Sequence, residues 1–502
     1  MRSLWGVARH TVQESLRTRV LLVFTVLLAV CVLAVGLLIP GDGTLKSRVQ
    51  TFLAYSTGLT ELLLGLVTIF LSTGMVSADI YHKQIFTVVT KPLPRWQYVL
   101  GRWLGLAMLN VLLLSLSFAS IYGLTRYLRT FPTLTEQKVA AGMLPAGTPD
   151  LDRVGVDSEV LTARAGYGPD PFDVEGEVQG RWDQHLKENN MDVLIKDRIR
   201  RQMQTERIET LHSEVPVSQE EVERAYTDRG RRQMEEQQMR AELRQAILST
   251  RLMVNPADTL EFTFSHVDQP QRMDEPLELR YRLHPSYTPS SMQIKTGWVV
   301  QTANGPVSLS SQSDSTEAMA SVLMPPQVVL NGKVTLYYIN PNMQPPNPVR
   351  IDPAEMTLLV RSGQFGANLA RGAAMMLLRL MFLAALGLLF GVFLSFPVAC
   401  LACLLALGVG MSSGFIIDAT TFREDIKYDW LDYVCHYLAA GTLYVLPQLS
   451  GTSPVDALVD GQIVRLGRLG EELYSGLGLR TAFTLALACL IFQRRELARV
   501  QV

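Results

Sequence analysis

Glu61 and Arg379 are ionisable residues set well inside apolar runs, where a charge is unfavourable unless it is paired or led to an interface. Counted at about 1.5 Å per residue from the run ends near Ala78 and Ser395, both lie roughly 25 Å along, at matching depth. Two arrangements fit that spacing: an ion pair between them, or separate snorkelling of each side chain to the outer interface. Other chemistry is hard to find. "GDGTLKS" (Gly41 to Ser47) resembles a phosphate loop, but Leu45 stands where a glycine must precede the lysine, and no strand leads into it. The chain has no HExxH and no G-x-S-x-G pattern. Cys400 and Cys403 have CxxC spacing inside "FPVACLACLLALGVG", with no second ligand pair, so helix packing is the expectation for them. The seven histidines are scattered. The chain is therefore not expected to be an enzyme or to bind a metal or cofactor itself.

These residues must be positioned by a mosaic chain. Its 502 residues are 48% hydrophobic, with a mean hydropathy of +0.16, too apolar for a soluble protein and too polar to be membrane throughout. A net charge of −1 leaves no basic field to neutralise phosphates, which argues against a nucleic-acid partner. The five cysteines all fall in or beside apolar runs and offer no disulfide framework.

Val20–Ile39 is apolar for about the length that crosses a hydrocarbon core of roughly 30 Å. Before it, Leu4, Val7 or Ala8, Thr11 or Val12, and Leu16 share a helical face, with Arg2, Arg9 and Arg17 elsewhere, which predicts an interfacial helix over 1–19. Further runs at about Phe52–Ala78, Tyr98–Leu124, Ala370–Leu394, Pro397–Ile417 and Leu477–Phe492 bring the expected spans to six. Arginine and lysine mark the cytoplasmic side. Arg2, Arg9, Arg17 and Arg19 start there, Lys83, Lys91, Arg95 and Arg102 return there after two crossings, and Arg494, Arg495 and Arg499 after six. "WLDYVCHYLAAGTLYVLPQL" (Trp430 to Leu449) would break that parity as a seventh span, and it carries Asp432 and His436, so an interfacial or re-entrant helix is expected.

The polar stretch that follows three crossings is extracytoplasmic on this count. Its first part is rich in Gly, Pro and Asp and reads as irregular. Trp182 to Thr250 has a charged helical pattern, broken at "SEVPVS", after which Ser218-Gln-Glu-Glu221 spells a capping box. From about Ala257 the period changes to two: Leu260, Phe262 and Phe264 alternate with polar neighbours, as do Leu277, Leu279, Tyr281 and Leu283. Asn331-Gly332 between "PPQVVL" and "KVTLYYIN" signals a two-residue hairpin, and the whole predicts a β-sandwich.

The expected fold is thus a polytopic α-helical membrane protein with a large extracytoplasmic α+β insertion between the third and fourth spans. Its parts are the interfacial helix 1–19, spans one to three over 20–128, an irregular and helical region 129–256 and a sandwich-like domain 257–365. Spans four and five over 366–417, an interfacial or re-entrant region 418–475, and a last span with a cytoplasmic tail over 476–502 complete it.

One cytoplasmic stretch, "ADIYHKQIFTVVTKPLPRWQYVLGRWLG" (Ala78 to Gly105), is more than a turn. It resembles the loop between spans two and three of ABC transporter permeases of the ABC-2 type, through Asp79, the apolar Ile85 to Val89, Lys91-Pro92, Arg95-Trp96 and Gly101-Arg102. "FLSFPVA" (Phe393 to Ala399), "YVLPQLSGTSPVDALVDG" (Tyr444 to Gly461) and "LIFQRREL" (Leu490 to Leu497) are similar to the same family. The likeness covers roughly residues 1–128 and 366–502. Asp79 stands where the family more often has glutamate, and Gln448 where asparagine is commoner. The resemblance implies a multi-pass permease of the bacterial inner membrane that pairs with a second copy as a homodimer and docks two cytoplasmic ATPase subunits through the loop over 79–97. ATP and Mg²⁺ would sit in those ATPases. The docking residues it implies are Asp79, Lys83, Ile85, Phe86, Val88, Val89, Lys91, Pro92 and Arg95. An apolar helical face with a basic rim is suited to a partner's groove. Membrane lipids, and a periplasmic partner for residues 130–365, complete the expected contacts. The alternative expectation is a membrane-anchored extracytoplasmic binding or chaperone-like protein that transports nothing.

Overall fold

The computed structural model describes residues 2–502 except 39–40, 82–93, 146–147, 149, 188–189, 212–215, 271–275, 310–311, 317, 421–429, 446–453, 475–476 and 495–502. The chain forms two compact units, one made of 1–165 and 361–502 and the other of 166–360.

The first unit is helical. It opens with α1 (Arg2–Arg17), α2 (Arg19–Leu38), α3 (Leu45–Tyr81) and α4 (Arg95–Leu128). Short α5 (Leu134–Ala140) and α6 (Leu151–Gly155) follow, then a π turn over Val156–Val160. Among the described residues five helical stretches are long and apolar enough to cross a membrane: Arg19–Leu38, Leu45–Asp79, Arg95–Leu128, Phe365–Phe393 and Leu466–Arg494. The expected span over Pro397–Ile417 differs from these. The structure breaks it at Ser412, leaving one helix over Phe396–Met411 and another over Ser413–Thr420. At about 1.5 Å per residue the longer piece reaches about 24 Å, short of a hydrocarbon core. Trp430–Val445 is also a helix of 16 residues, with His436 Nδ1 2.8 Å from the Thr420 carbonyl.

The stretch read as irregular after the third span carries its own local order. Thr133 and Glu136 form a capping box at the start of α5, and Asp150 caps α6. Residues 129–165 belong to the helical unit, although composition groups them with the polar region that follows. The carboxylate of Asp152 accepts from the Leu45 and Lys46 amides at 2.7 and 2.9 Å, which satisfies the free N–H groups that open α3. The amides following "GDGT" therefore face a side chain of the protein, and Asp42 itself folds back onto Thr44.

The second unit joins helices to sheets. Its helices are α7 (Glu175–Lys187), α8 (Asn190–Leu211), α9 (Gln219–Thr227) and α10 (Arg229–Leu252). Trp182, Ile195, Ile199, Val217 and Val222 bury one another among them. Ser218 opens α9 through the capping box its spacing predicts, its hydroxyl accepting from the Glu221 amide.

Beyond α10 the strands are short. A five-stranded sheet joins β3 (Thr259–Phe264), β10 (Val334–Ile339), β6 (Gln293–Thr302), β7 (Gly305–Ser308) and β8 (Gln312–Ser315). A four-stranded sheet orders β1 (Thr162–Tyr167), β12 (Thr357–Gln364), β4 (Leu277–Tyr281) and β9 (Ala320–Met324). Three small strands, β2 (Met253–Val254), β11 (Val349–Ile351) and β5 (Leu283–Pro285), form a third. Alternation aims Leu260, Phe262, Phe264, Leu336 and Tyr338 at a shared core with Leu277, Leu279 and Tyr281. Tyr281 meets Trp298 of the five-stranded sheet at 4.9 Å between ring centroids. Asn331 and Gly332 take the positive φ values of 51° and 76° that a two-residue turn requires. Leu330 and Lys333 close it with paired backbone bonds of 2.8 and 2.9 Å. "PPQVVL" is not the expected strand: Pro326–Val328 is a 3-10 turn, since prolines 325 and 326 have no N–H to give a ladder.

Candidate functional site

The segment 82–93 leaves the end of α3 and re-enters at Pro94, so whatever grips those two ends determines what a push on the segment can move. Pro94 precedes the first turn of α4, its ring setting φ at −60°. One turn on, α4 presents Tyr98 and Arg102 to Asp79 of α3. Arg102 donates through Nη2 to Asp79 Oδ2 and through Nη1 to Glu14 Oε2 of α1. Tyr98 donates its hydroxyl to Asp79. Arg102, Asp79 and Tyr98 are all buried. A buried guanidinium shared by two carboxylates is a fork geometry that fixes direction as well as charge. The Tyr98 ring also stacks on Phe492 at 5.6 Å. Arg95 Nη1 donates to the Gln493 carbonyl at 2.8 Å, in the last turn of the helix over Leu477–Arg494. There a cation complements free carbonyls. Four helices thus meet at the base of 82–93.

Glycines let α1 come close enough for this. A Cβ on Gly101 would lie 2.7 Å from Val7 Cβ, and one on Gly105 would lie 2.5 Å from Thr11 Cβ and 2.8 Å from the Ala8 carbonyl. The face of α1 that packs is consequently small: Ala8, Thr11 and Ser15 are buried, whereas Leu16, placed by period on the apolar face of the interfacial helix, is exposed. Gly387 and Gly391 play the same part where the helix over Phe365–Phe393 crosses α3, with Ser72 and Thr73 against them. Both pairs are small-xxx-small spacings, the signal by which sequence reading could have found these crossings. Glu14 and Tyr98 carry no comparable signal.

Of the residues implied for docking, Asp79 and Arg95 are in this cluster. Lys83, Ile85, Phe86, Val88, Val89, Lys91 and Pro92 lie outside the described residues. Glu61 and Arg379 are brought together: Arg379 Nη1 lies 2.5 Å from Glu61 Oε1. Farther along α3, Thr68 Oγ1 is 3.0 Å from the Asn110 carboxamide of α4. Cys400 and Cys403 are buried in helix packing, Cys400 Sγ standing 3.1 Å from Thr73 Oγ1. Among the described residues no group of three or more His, Cys, Asp or Glu side chains is placed to hold a metal. No protein-family model, curated protein or solved structure matches the chain.

Proposed function

We propose that this chain is the membrane-spanning subunit of an ATP-binding cassette exporter of the ABC-2 type, with separate cytoplasmic ATPase subunits docked on residues 79–97. The observation that carries the reading is the clamp of Asp79, Arg102, Tyr98 and Glu14, together with Arg95 on the final helix. A segment whose two ends are fastened to four helices passes displacement to all of them as a rigid-body shift rather than absorbing it. In this reading ATP and Mg²⁺ reside in the ATPases, and this chain catalyses no covalent step. The permease lies in the bacterial inner membrane with both termini cytoplasmic and acts as a pair with a second copy. Ile85, Phe86, Val88 and Val89 form the docking face, and Lys83, Lys91 and Arg95 its rim. The unit over 166–360 then engages substrate or a periplasmic partner outside the membrane.

Affinity purification of the wild-type chain and of a variant with Ile85→Asp and Phe86→Asp tests this. A Walker-A ATPase is expected with the first and not with the second. Its retention by the variant would overturn the docking role. Its absence from the wild type would favour a membrane-anchored binding protein instead.

A further inference from the structure

Among the described residues, α1 packs its small face and Glu14 inside the protein and leaves the rest of its surface outward. Ala8, Thr11 and Ser15 are buried against α4. At about 100° per residue, Trp5, Val12 and Leu16 fall within about 40° of one another on a second flank. Trp5 is 59% and Leu16 54% exposed there. Arg9, His10, Gln13 and Arg17 occupy a third, which is fully outward. Arg19 follows, exposed, at the start of α2. The only carboxylate of α1, Glu14, is engaged by Arg102 and stands 3.6 Å from His10 Nδ1. Arg9, Arg17 and Arg19 have no acidic partner among the described residues. An aromatic and aliphatic flank that grades into unpaired guanidinium groups is the pattern of a helix lying in a membrane surface. The charge decides the occupant. Arginine forks match phosphate oxygens, and Trp is suited to headgroup depth.

We infer that the outward face of α1, with Arg9, Arg17 and Arg19, binds the headgroups of anionic phospholipids in the leaflet that holds the N-terminus, with Trp5 at headgroup depth and Leu16 in the acyl region below. This rests on the membrane placement of α2 to α4 and not on ATPase docking at 82–93. The bound lipid would brace α1 against Gly101 and Gly105 of α4, and so steady the Glu14 arm of the clamp.

The test uses the full-length chain purified in a neutral detergent and titrated separately with phosphatidylglycerol and phosphatidylcholine, with retained lipid counted by native mass spectrometry. Wild type is expected to retain phosphatidylglycerol in preference. Arg9→Gln, Arg17→Gln and Arg19→Gln are expected to weaken that retention about fivefold each, in line with the attraction of one basic residue to an anionic surface. The triple Arg→Lys variant keeps the charge and is expected to retain most of it, which separates charge loss from misfolding. Equal retention of the two lipids by wild type would overturn the inference. So would wild-type retention of phosphatidylglycerol by the triple glutamine variant. Loss of self-association in that variant, with lipid retention unchanged, would assign the face to a second copy of the chain and overturn it as well. ATPase copurification in the glutamine variants reads the docking proposal independently.

Discussion

Arg379 Nη1 lies 2.5 Å from Glu61 Oε1, tying two long apolar helices together across 318 residues of sequence. Their burial is unequal, with the arginine side chain 4% exposed and the glutamate 24%. Removing the carboxylate therefore strands the more buried charge. Glu61→Ala is expected to lower stability by about 3 kcal/mol, and Arg379→Met by less, because the remaining carboxylate keeps partial access to its surroundings. Exchanging the charges, Glu61→Arg with Arg379→Glu, is expected to recover part of what either single reversal loses. Thermal unfolding of the purified chain in detergent reads all of these. A double exchange no more stable than the single reversals would show that the pair is not a stabilising unit.

Glycine substitutions separate close crossings from open ones. A Cβ on Gly387 would lie 1.9 Å from Ser72 Oγ and 2.8 Å from Ser72 Cβ, whereas one on Gly58 of α3 meets nothing within 4 Å. Gly387→Ala is expected to destabilise by about 1–3 kcal/mol through overpacking. Gly58→Ala is expected to be neutral or to stabilise slightly, through its better helix propensity. Adding Ser72→Gly to Gly387→Ala is expected to restore most of the loss. Thermal unfolding is again the measurement, and equal effects at Gly387 and Gly58 would contradict the packing argument.

The features legible in the sequence are those whose physics is local or one-dimensional. Charges in an apolar run at matching depth pointed to Glu61 and Arg379 because helix rise is constant. Ser218 with Glu221, and Asn331 with Gly332, follow from hydrogen bonds and φ preferences within four residues. Other features needed a third dimension. The glycine pairs 101/105 and 387/391 can be seen as text, but nothing in the text says that α1 fills one and α3 the other. Period alone put Ala8, Thr11 and Leu16 on one face of the interfacial helix, yet the close approach at Gly105 selects Ala8, Thr11 and Ser15 for the interface with α4 and leaves Leu16 exposed. The break at Ser412 falls between two apolar stretches whose composition alone reads as one helix.

Acid should loosen the helices of the second unit before it affects their apolar contacts. Glu221 is held below the ordinary glutamate value of 4.5, first by the Ser218 amide and then by Arg207. Glu242 is held below it by the Arg198 guanidinium. With folded values below unfolded ones, the stabilisation is fully present above the ordinary carboxylate range and is lost as pH falls through the folded values. Amide protection across α8 to α10, taken relative to intrinsic exchange, is expected to fall from about pH 4.5 downward, with Glu221→Gln making the amides around Ser218 less responsive to acid. Tyr226 predicts the opposite limb. Burial first, then its bond to Asp192, pushes its hydroxyl up to about 12. The stability it contributes is present below the ordinary tyrosine value of 10.0 and fades as pH rises through the folded one. Protection of α9 amides, taken relative to their intrinsic exchange, that does not fall as pH rises above 10.0 would remove Tyr226 from that account.

The clamp at the base of 82–93 makes the sharpest demand, because its members share one acceptor. Tyr98 and Arg102 both donate to Asp79 Oδ2, so the removal of one changes what the other can do. Tyr98→Phe is expected to cost about 1 kcal/mol, since Asp79 keeps Arg102. Asp79→Asn is expected to cost more, because it deprives both donors of a charged acceptor and leaves Arg102 with Glu14. The double variant should then be less destabilised than the sum, by an interaction energy of about 1 kcal/mol, as expected for residues in one network. Combining Tyr98→Phe with Gly387→Ala, on another crossing, should be additive. If the Asp79 and Tyr98 effects were additive as well, the two bonds would be independent contacts. The ends of α3 and α4 would then lack the shared joint on which rigid transmission from the proposed docking segment depends.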